Sequence, residues 1–186
     1  GNPICSRMYY TCEKRVVFLN NNILLYIMTE QSFNYTPDDI CEKIIEYLKL
    51  DKNKSYCEPF SGNHNFFKLL PDNKEYYEIQ EGRDFFKCDK NYDIIITNPP
   101  YKDYETNTKN IMIDCYEKSF DVALEKCIFL INSQSFNSLT PLRLDNWKKK
   151  GWEITDIRIY NIKKWYGRYY LITFEKNKQG ILSWEI

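Results

Sequence analysis

The segment Tyr92-Asp93-Ile94-Ile95-Ile96-Thr97 constrains this chain most, because an apolar, β-branched run is halted at once by Asn98-Pro99-Pro100. Residues of this type favour strands, and a proline pair cannot donate to a sheet ladder. The prolines must therefore lie outside the sheet, at the carboxyl end of the strand. Strand-like and helix-like segments alternate around it. Thr36-Pro37-Asp38-Asp39 reads as a helix start, with a cap-type residue, a proline in the first turn and acids that complement the helix dipole. The helix is expected to run to about Lys49, because Ile40, Cys41, Ile44, Ile45, Tyr47 and Leu48 recur at helical spacing. A short strand ending near Cys57 should lead through Glu58-Pro59-Phe60-Ser61-Gly62-Asn63 into a helical stretch at 65–70. Residues 75–79 predict a second strand and Asp84-Phe85-Phe86 a short third element. Farther on, 110–124 predict a helix, 127–131 a buried strand, 141–150 a helix closed by Gly151, and 153–160 and 169–174 two last strands joined by a short turn.

This order predicts an α/β fold with a mostly parallel sheet and a C-terminal antiparallel hairpin. Ligands in such sheets sit beyond the carboxyl ends of the strands. At 186 residues the chain is long enough for one self-sufficient core, and residues 31–186 are expected to form it. Residues 1–30 read as an N-terminal extension whose apolar runs are too short and interrupted to span a bilayer. Seven cysteines without a C-x-x-C pair, and a single histidine, His64, argue for reduced buried thiols in a reducing, cytoplasmic setting. They argue equally against a metal centre or Ser/His/Asp chemistry. Abundant Asn, Lys, Ile and Tyr fit an AT-rich genome, such as that of a phage, a large virus or a low-GC microbe acting in its own or a host cell.

Charge balances at 26 basic and 26 acidic residues, so no global field favours nucleic acid, and any such face must be local. From Pro141 to the end there are ten Lys/Arg against five Asp/Glu, which makes this the basic side. Lys148, Lys149, Lys150, Lys163, Lys164 and Arg168, interleaved with Trp147, Trp165 and Tyr166, are the candidates for tracking phosphates and stacking on bases. A solvated surface over core aromatics is the competing reading.

The chemistry concentrates at Asn98-Pro99-Pro100-Tyr101. A conjugated amine is a poor nucleophile until acceptors hold its hydrogens, and the Asn98 Oδ1 and Pro99 carbonyl are suitable acceptors. The proline pair stiffens their loop, and Tyr101 is expected to stack on the base. At these residues the sequence resembles the S-adenosylmethionine-dependent N6-adenine DNA methyltransferases, whose catalytic motif is (D/N/S)-P-P-(Y/F). In that family's cofactor-first arrangement a Y-T-P segment and a Gly-bearing loop precede the catalytic motif. Here Tyr35-Thr36-Pro37 and Glu58-Pro59-Phe60-Ser61-Gly62-Asn63 stand in those places.

The resemblance implies a Rossmann-like methyltransferase sheet and S-adenosyl-L-methionine as cofactor. It assigns cofactor binding to Tyr35, Thr36, Glu58, Phe60, Ser61, Gly62, Asn63 and Asn98, with Glu78 on the ribose hydroxyls and Asp84 and Phe85 on the adenine. Asn98, Pro99, Pro100 and Tyr101 would be catalytic, methylating a flipped DNA adenine by direct in-line transfer without metal. The chain departs from the pattern at His64, where the family often has a second glycine. It also has no room for a large target-recognition domain after Asp103, so specificity would need short loops, a second copy or a partner subunit. RNA adenine and protein glutamine are acceptors of the same chemistry. A non-catalytic methyltransferase-fold subunit is the remaining reading.

Overall fold

The computed structural model describes residues 35–101, 111–163 and 167–186, so the expected extension at 1–30 lies outside the described residues. Helix α1 (Asp38–Leu48) precedes strands β1 (Tyr56–Glu58), β2 (Lys74–Tyr76) and β3 (Tyr92–Thr97). Helix α2 (Ile111–Val122) runs directly into β4 (Ala123–Asn132), followed by the short α3 (Ser133–Phe136), α4 (Pro141–Lys149), β5 (Trp152–Ile162) and β6 (Gly167–Lys176). The sheet order is β2-β1-β3-β4-β6-β5, parallel from β2 through β4. β6 runs antiparallel to both β4 and β5. This is the expected α/β sheet with its C-terminal antiparallel hairpin.

β3 lies at the centre and is buried on both faces. Its alternation sends Ile95 into one core and Ile94 and Ile96 into another. On the first side α2 and α4 contribute Tyr116, Phe120 and Trp147 against Phe129 and Phe174. On the second, Ile40, Cys41 and Ile44 of α1 pack on Ile128, Leu130 and Leu171. The register of β1 against β3 is set by a reciprocal clasp. Ser55 donates from its N (2.8 Å) and Oγ (2.9 Å) to Asp93 Oδ2, and Asp93 N donates back to Ser55 Oγ (2.9 Å).

Two local expectations change. Thr36 is not the cap of α1; Pro37 holds the N-cap position without a side-chain bond, and Thr36 faces the cleft instead. The helical stretch at 65–70 is one 3₁₀ turn, Phe67–Leu69, while the short element expected at Asp84-Phe85-Phe86 is a cap followed by a 3₁₀ turn, Phe85–Lys87. Runs this short do not offset the cost of helix nucleation. The short α3 is an element the sequence did not announce. Five cysteines are described, all buried and free. Burial pushes the thiols of Cys41, Cys57, Cys115 and Cys127 up, which keeps them protonated and inert.

Phe129 has no exposure and meets Tyr116 at 4.7 Å and Phe174 at 6.1 Å between ring centroids. Phe129→Ala should cost about 3–5 kcal/mol in urea denaturation. Asp93→Ala should cost about 1–3 kcal/mol at neutral pH. The Ser55 N–H is the main cause that holds the Asp93 carboxyl below the usual range. That stabilisation is therefore present above the ordinary aspartate pKa and is lost as pH falls through the depressed one, so the gap between variant and wild type should narrow in acid.

Candidate functional site

Because β1, β2 and β3 are parallel, the residues that follow them converge at one end of the sheet. They enclose a cleft of about 730 Å³, its open mouth included. All the residues predicted for the cofactor line it except Asp84 and Phe85, and Pro99 and Pro100 complete one wall. Asn65, Phe66, Ile79 and Gln80 also line it and were not singled out from the sequence. Asn65 does so because its Nδ2 donates to the Thr36 carbonyl (2.5 Å), tying the loop to the entry of α1. No local motif marks such a long-range bond.

Glu58 ends β1 and is 2% exposed. Its Oε2 accepts from Phe67 N (2.7 Å) and lies 3.0 Å from Ser61 Oγ, but burial is the larger influence and pushes the carboxyl well above the ordinary range. Gly62 has φ +54°, and a Cβ there would lie 2.6 Å from a Tyr35 ring carbon, so both conformation and space require glycine. Its N–H donates to Glu78 Oε2 (2.7 Å), while Glu78 Oε1 accepts from Gln80 N (3.1 Å). Glu78 thus joins the glycine loop to the turn after β2, with one further lone pair on each oxygen for a ligand.

His64 has a left-handed backbone, with φ +67°. A left-handed backbone is unfavourable for a non-glycine residue, and here side-chain bonds hold it. His64 Nδ1 lies 2.7 Å from Ser61 Oγ and Nε2 3.0 Å from Glu81 Oε1, with the Tyr76 ring 4.5 Å from its own.

On the far wall, Asn98 Nδ2 donates to Thr36 Oγ1 (3.2 Å), and Asn98 Oδ1 accepts from Tyr101 Oη (2.7 Å). The amide is therefore held from both sides, with one lone pair of Oδ1 still open. Pro99 and Pro100 are buried.

Several predicted site residues stand elsewhere. Tyr101 does not line the cleft; its ring packs against the α2 side of the sheet, and its hydroxyl also lies 3.3 Å from the Leu130 carbonyl. Burial pushes its hydroxyl well up, so it remains a donor. Its hydroxyl orients Asn98. Phe85 is 2% exposed in the core, its centroid 5.6 Å from Phe60, so it supports a cleft residue without reaching the cleft. Asp84 Oδ1 caps the following turn by accepting from Phe86 N (3.0 Å).

The predicted basic face divides. β5 runs parallel to β4, so Lys148 and Lys149, just before β5, lie at the sheet end opposite Asn98. They pair with Glu153 (3.1 Å) and Asp145 (2.7 Å), and Lys150 pairs with Glu117 (2.5 Å). These lysines are exposed, each in a surface ion pair, and stand at the end of the sheet away from the cleft. Lys163 and Arg168 are exposed at the β5–β6 turn, on the Asn98 end. Lys164 lies outside the described residues. Among the described residues no group of three His, Cys, Asp or Glu could hold a metal, and no helix is long and apolar enough to cross a membrane.

No protein-family model and no curated protein matches the sequence. Solved structures do match the fold. A Pyrococcus horikoshii protein assigned as an RNA methyltransferase aligns with TM-score 0.58 at 14% identity, over 78% of this chain and 88% of its own. The M. jannaschii tRNA m1G37 methyltransferase aligns with TM-score 0.52 at 15% identity, over 78% of this chain and 51% of its own. The magnesium protoporphyrin IX methyltransferase of Synechocystis, solved with bound S-adenosylmethionine, aligns with TM-score 0.52 at 12% identity, over 75% and 79% respectively. The chain thus has the Rossmann-like fold shared by S-adenosylmethionine-dependent methyltransferases.

Gly62→Ala and Gly82→Ala separate conformation from crowding, since Gly82 has φ +75° but nothing within 4 Å of its added Cβ. Gly82→Ala should cost about 1 kcal/mol in thermal denaturation and Gly62→Ala at least about 1 kcal/mol more.

Proposed function

We propose that the cleft binds S-adenosylmethionine and that the chain transfers its methyl group to the exocyclic N6 amine of adenine in DNA. The observation that carries this reading is Asn98, its amide oriented from both sides, on the wall of the same cleft that holds Glu58, Gly62 and Glu78. The residues present fit the cofactor. A buried carboxylate at Glu58 suits its cationic amino-acid end, the bare backbone at Gly62 allows close approach, and Glu78 has lone pairs for ribose hydroxyls.

When bound, the cofactor supplies an activated sulfonium methyl, so a strong base is unnecessary. The chain's own contribution is orientation. The open lone pair of Asn98 Oδ1 and the Pro99 carbonyl accept the two amine hydrogens, which localises the nitrogen lone pair for attack. Tyr101 acts behind Asn98 by donating to Oδ1, and Thr36 Oγ1 fixes the other end of the amide. A duplex adenine must leave the stack to reach this wall. Lys163 and Arg168, at the same end of the sheet, are placed to meet the backbone phosphates.

RNA adenine is the second reading. Two of the structures with this fold are described as methyltransferases of RNA and of tRNA, while the protoporphyrin enzyme makes clear that the fold alone does not select the acceptor. Specificity in either case would draw on short loops, a second copy or a partner subunit.

Mass spectrometry of unmodified DNA and RNA incubated with the protein and S-adenosylmethionine should detect new N6-methyladenine in DNA. Asn98→Ala should lower the rate about 10²–10³-fold, as for loss of one preorganised polar contact, with cofactor affinity changed less than about tenfold. An Asn98→Ala protein as fast as wild type would contradict the mechanism. Product confined to RNA would move the acceptor.

A further inference from the structure

Glu58, Ser61, His64 and Glu81 form one unbroken line of hydrogen-bonding atoms from the buried wall of the cleft to the surface. The steps are 3.0 Å from Glu58 Oε2 to Ser61 Oγ, 2.7 Å from Ser61 Oγ to His64 Nδ1, and 3.0 Å from His64 Nε2 to Glu81 Oε1. Proton counting limits how this line can be filled, because a serine hydroxyl has one proton to donate and a carboxylate has none. Glu81 is ionised; the Tyr76 hydroxyl on its Oε2 (2.8 Å) is the main cause that holds its carboxyl low. His64 Nε2 must therefore carry a proton to make the last bond.

With one proton between Glu58 and His64 Nδ1, two arrangements satisfy every contact. In one, Glu58 is neutral and donates to Ser61, Ser61 donates to Nδ1, and His64 is the neutral Nε2–H tautomer. In the other, Glu58 is ionised, Ser61 donates to it, and a doubly protonated His64 donates to both Ser61 and Glu81. Both contain the same number of protons. Remove one, and some contact must set acceptor against acceptor.

We propose that Glu58 and His64 share one proton through the Ser61 hydroxyl, and that a cationic cofactor entering the cleft shifts it from Glu58 to His64. The carboxyl proton passes to Ser61 Oγ as Ser61's own proton passes to His64 Nδ1, so none is lost to solvent. The shift gives the cofactor a carboxylate while the protein keeps the proton. It makes His64 a positioning residue, and it accounts for a histidine held at φ +67°. In the free protein, burial of Glu58 and the nearby Glu78 favour the neutral-Glu58 arrangement. The other groups around the line are Arg83, 4.4 Å above the Tyr76 ring, Lys68 in the next turn, and Cys41 of α1, which is uncharged.

This inference rests on the cleft being an S-adenosylmethionine site, and two measurements separate the two claims. His64 is the only histidine, so ¹⁵N-histidine NMR of the untagged protein reads it without assignment. Near neutral pH the free protein should give the neutral Nε2–H pattern, and saturating S-adenosylmethionine should move both nitrogens toward imidazolium shifts. Glu58→Gln should abolish that change. Calorimetric titration of S-adenosylmethionine in buffers of different ionisation enthalpy should find about no proton released by wild type and about one released by His64→Asn, which tolerates the left-handed backbone. Binding heat with unmoved His64 nitrogens, or equal proton release by both proteins, would overturn the shared proton alone. No binding heat would overturn the cofactor reading and the inference with it.

Discussion

The cleft depends on the parallel pairing of β1 with β3. That pairing places Tyr56 beside Ile94 and Cys57 beside Ile95, so Glu58 and Asn98 emerge at the same end of the sheet. A slip of one residue would exchange the faces of every side chain in β3, sending Ile95 into the α1 core and Ile94 and Ile96 into the other. The Ser55–Asp93 clasp opposes that slip at the entrance of both strands. Two cores of different shape oppose it along the rest. Packing energy spent on the centre of the sheet is thus what holds the site's two walls in register.

Within the cleft most polar side chains serve the protein's own backbone first. Glu78 holds Gly62 and caps the turn after β2, Glu58 receives Phe67 and meets Ser61, and Asn98 is held between Thr36 and Tyr101. Each retains acceptor capacity, so a ligand would meet groups already oriented. Such a site has little to reorganise on binding, which suits chemistry whose barrier is mainly one of alignment.

Much of this was legible in the sequence, for identifiable reasons. β3 matched its expected bounds because a β-branched run and a proline pair are strong local signals. The glycine loop was legible because Gly62 carries a conformation that few residues adopt. What escaped was long-range. Asn65 reaches the cleft through the Thr36 carbonyl, and Tyr101 turned inward because its ring gains burial there while its hydroxyl finds Asn98. Where the Lys148–Lys150 run would lie could not be read without β5's direction; strand order puts it at the sheet end opposite Asn98, beside Glu153, Asp145 and Glu117. His64 looked like a defect in a motif, whereas the structure makes it the link between the two loops of the cleft.

A crystal structure with S-adenosylhomocysteine tests the central claim most directly, namely that one cleft seats the methyl donor beside Asn98. The account predicts density along the Glu58–Asn63 loop, with the ribose at Glu78 and the sulfur facing Asn98. Density in the groove at the opposite end of the sheet, between Lys49 and Lys178, or a ligand whose sulfur faces away from Asn98, would contradict it.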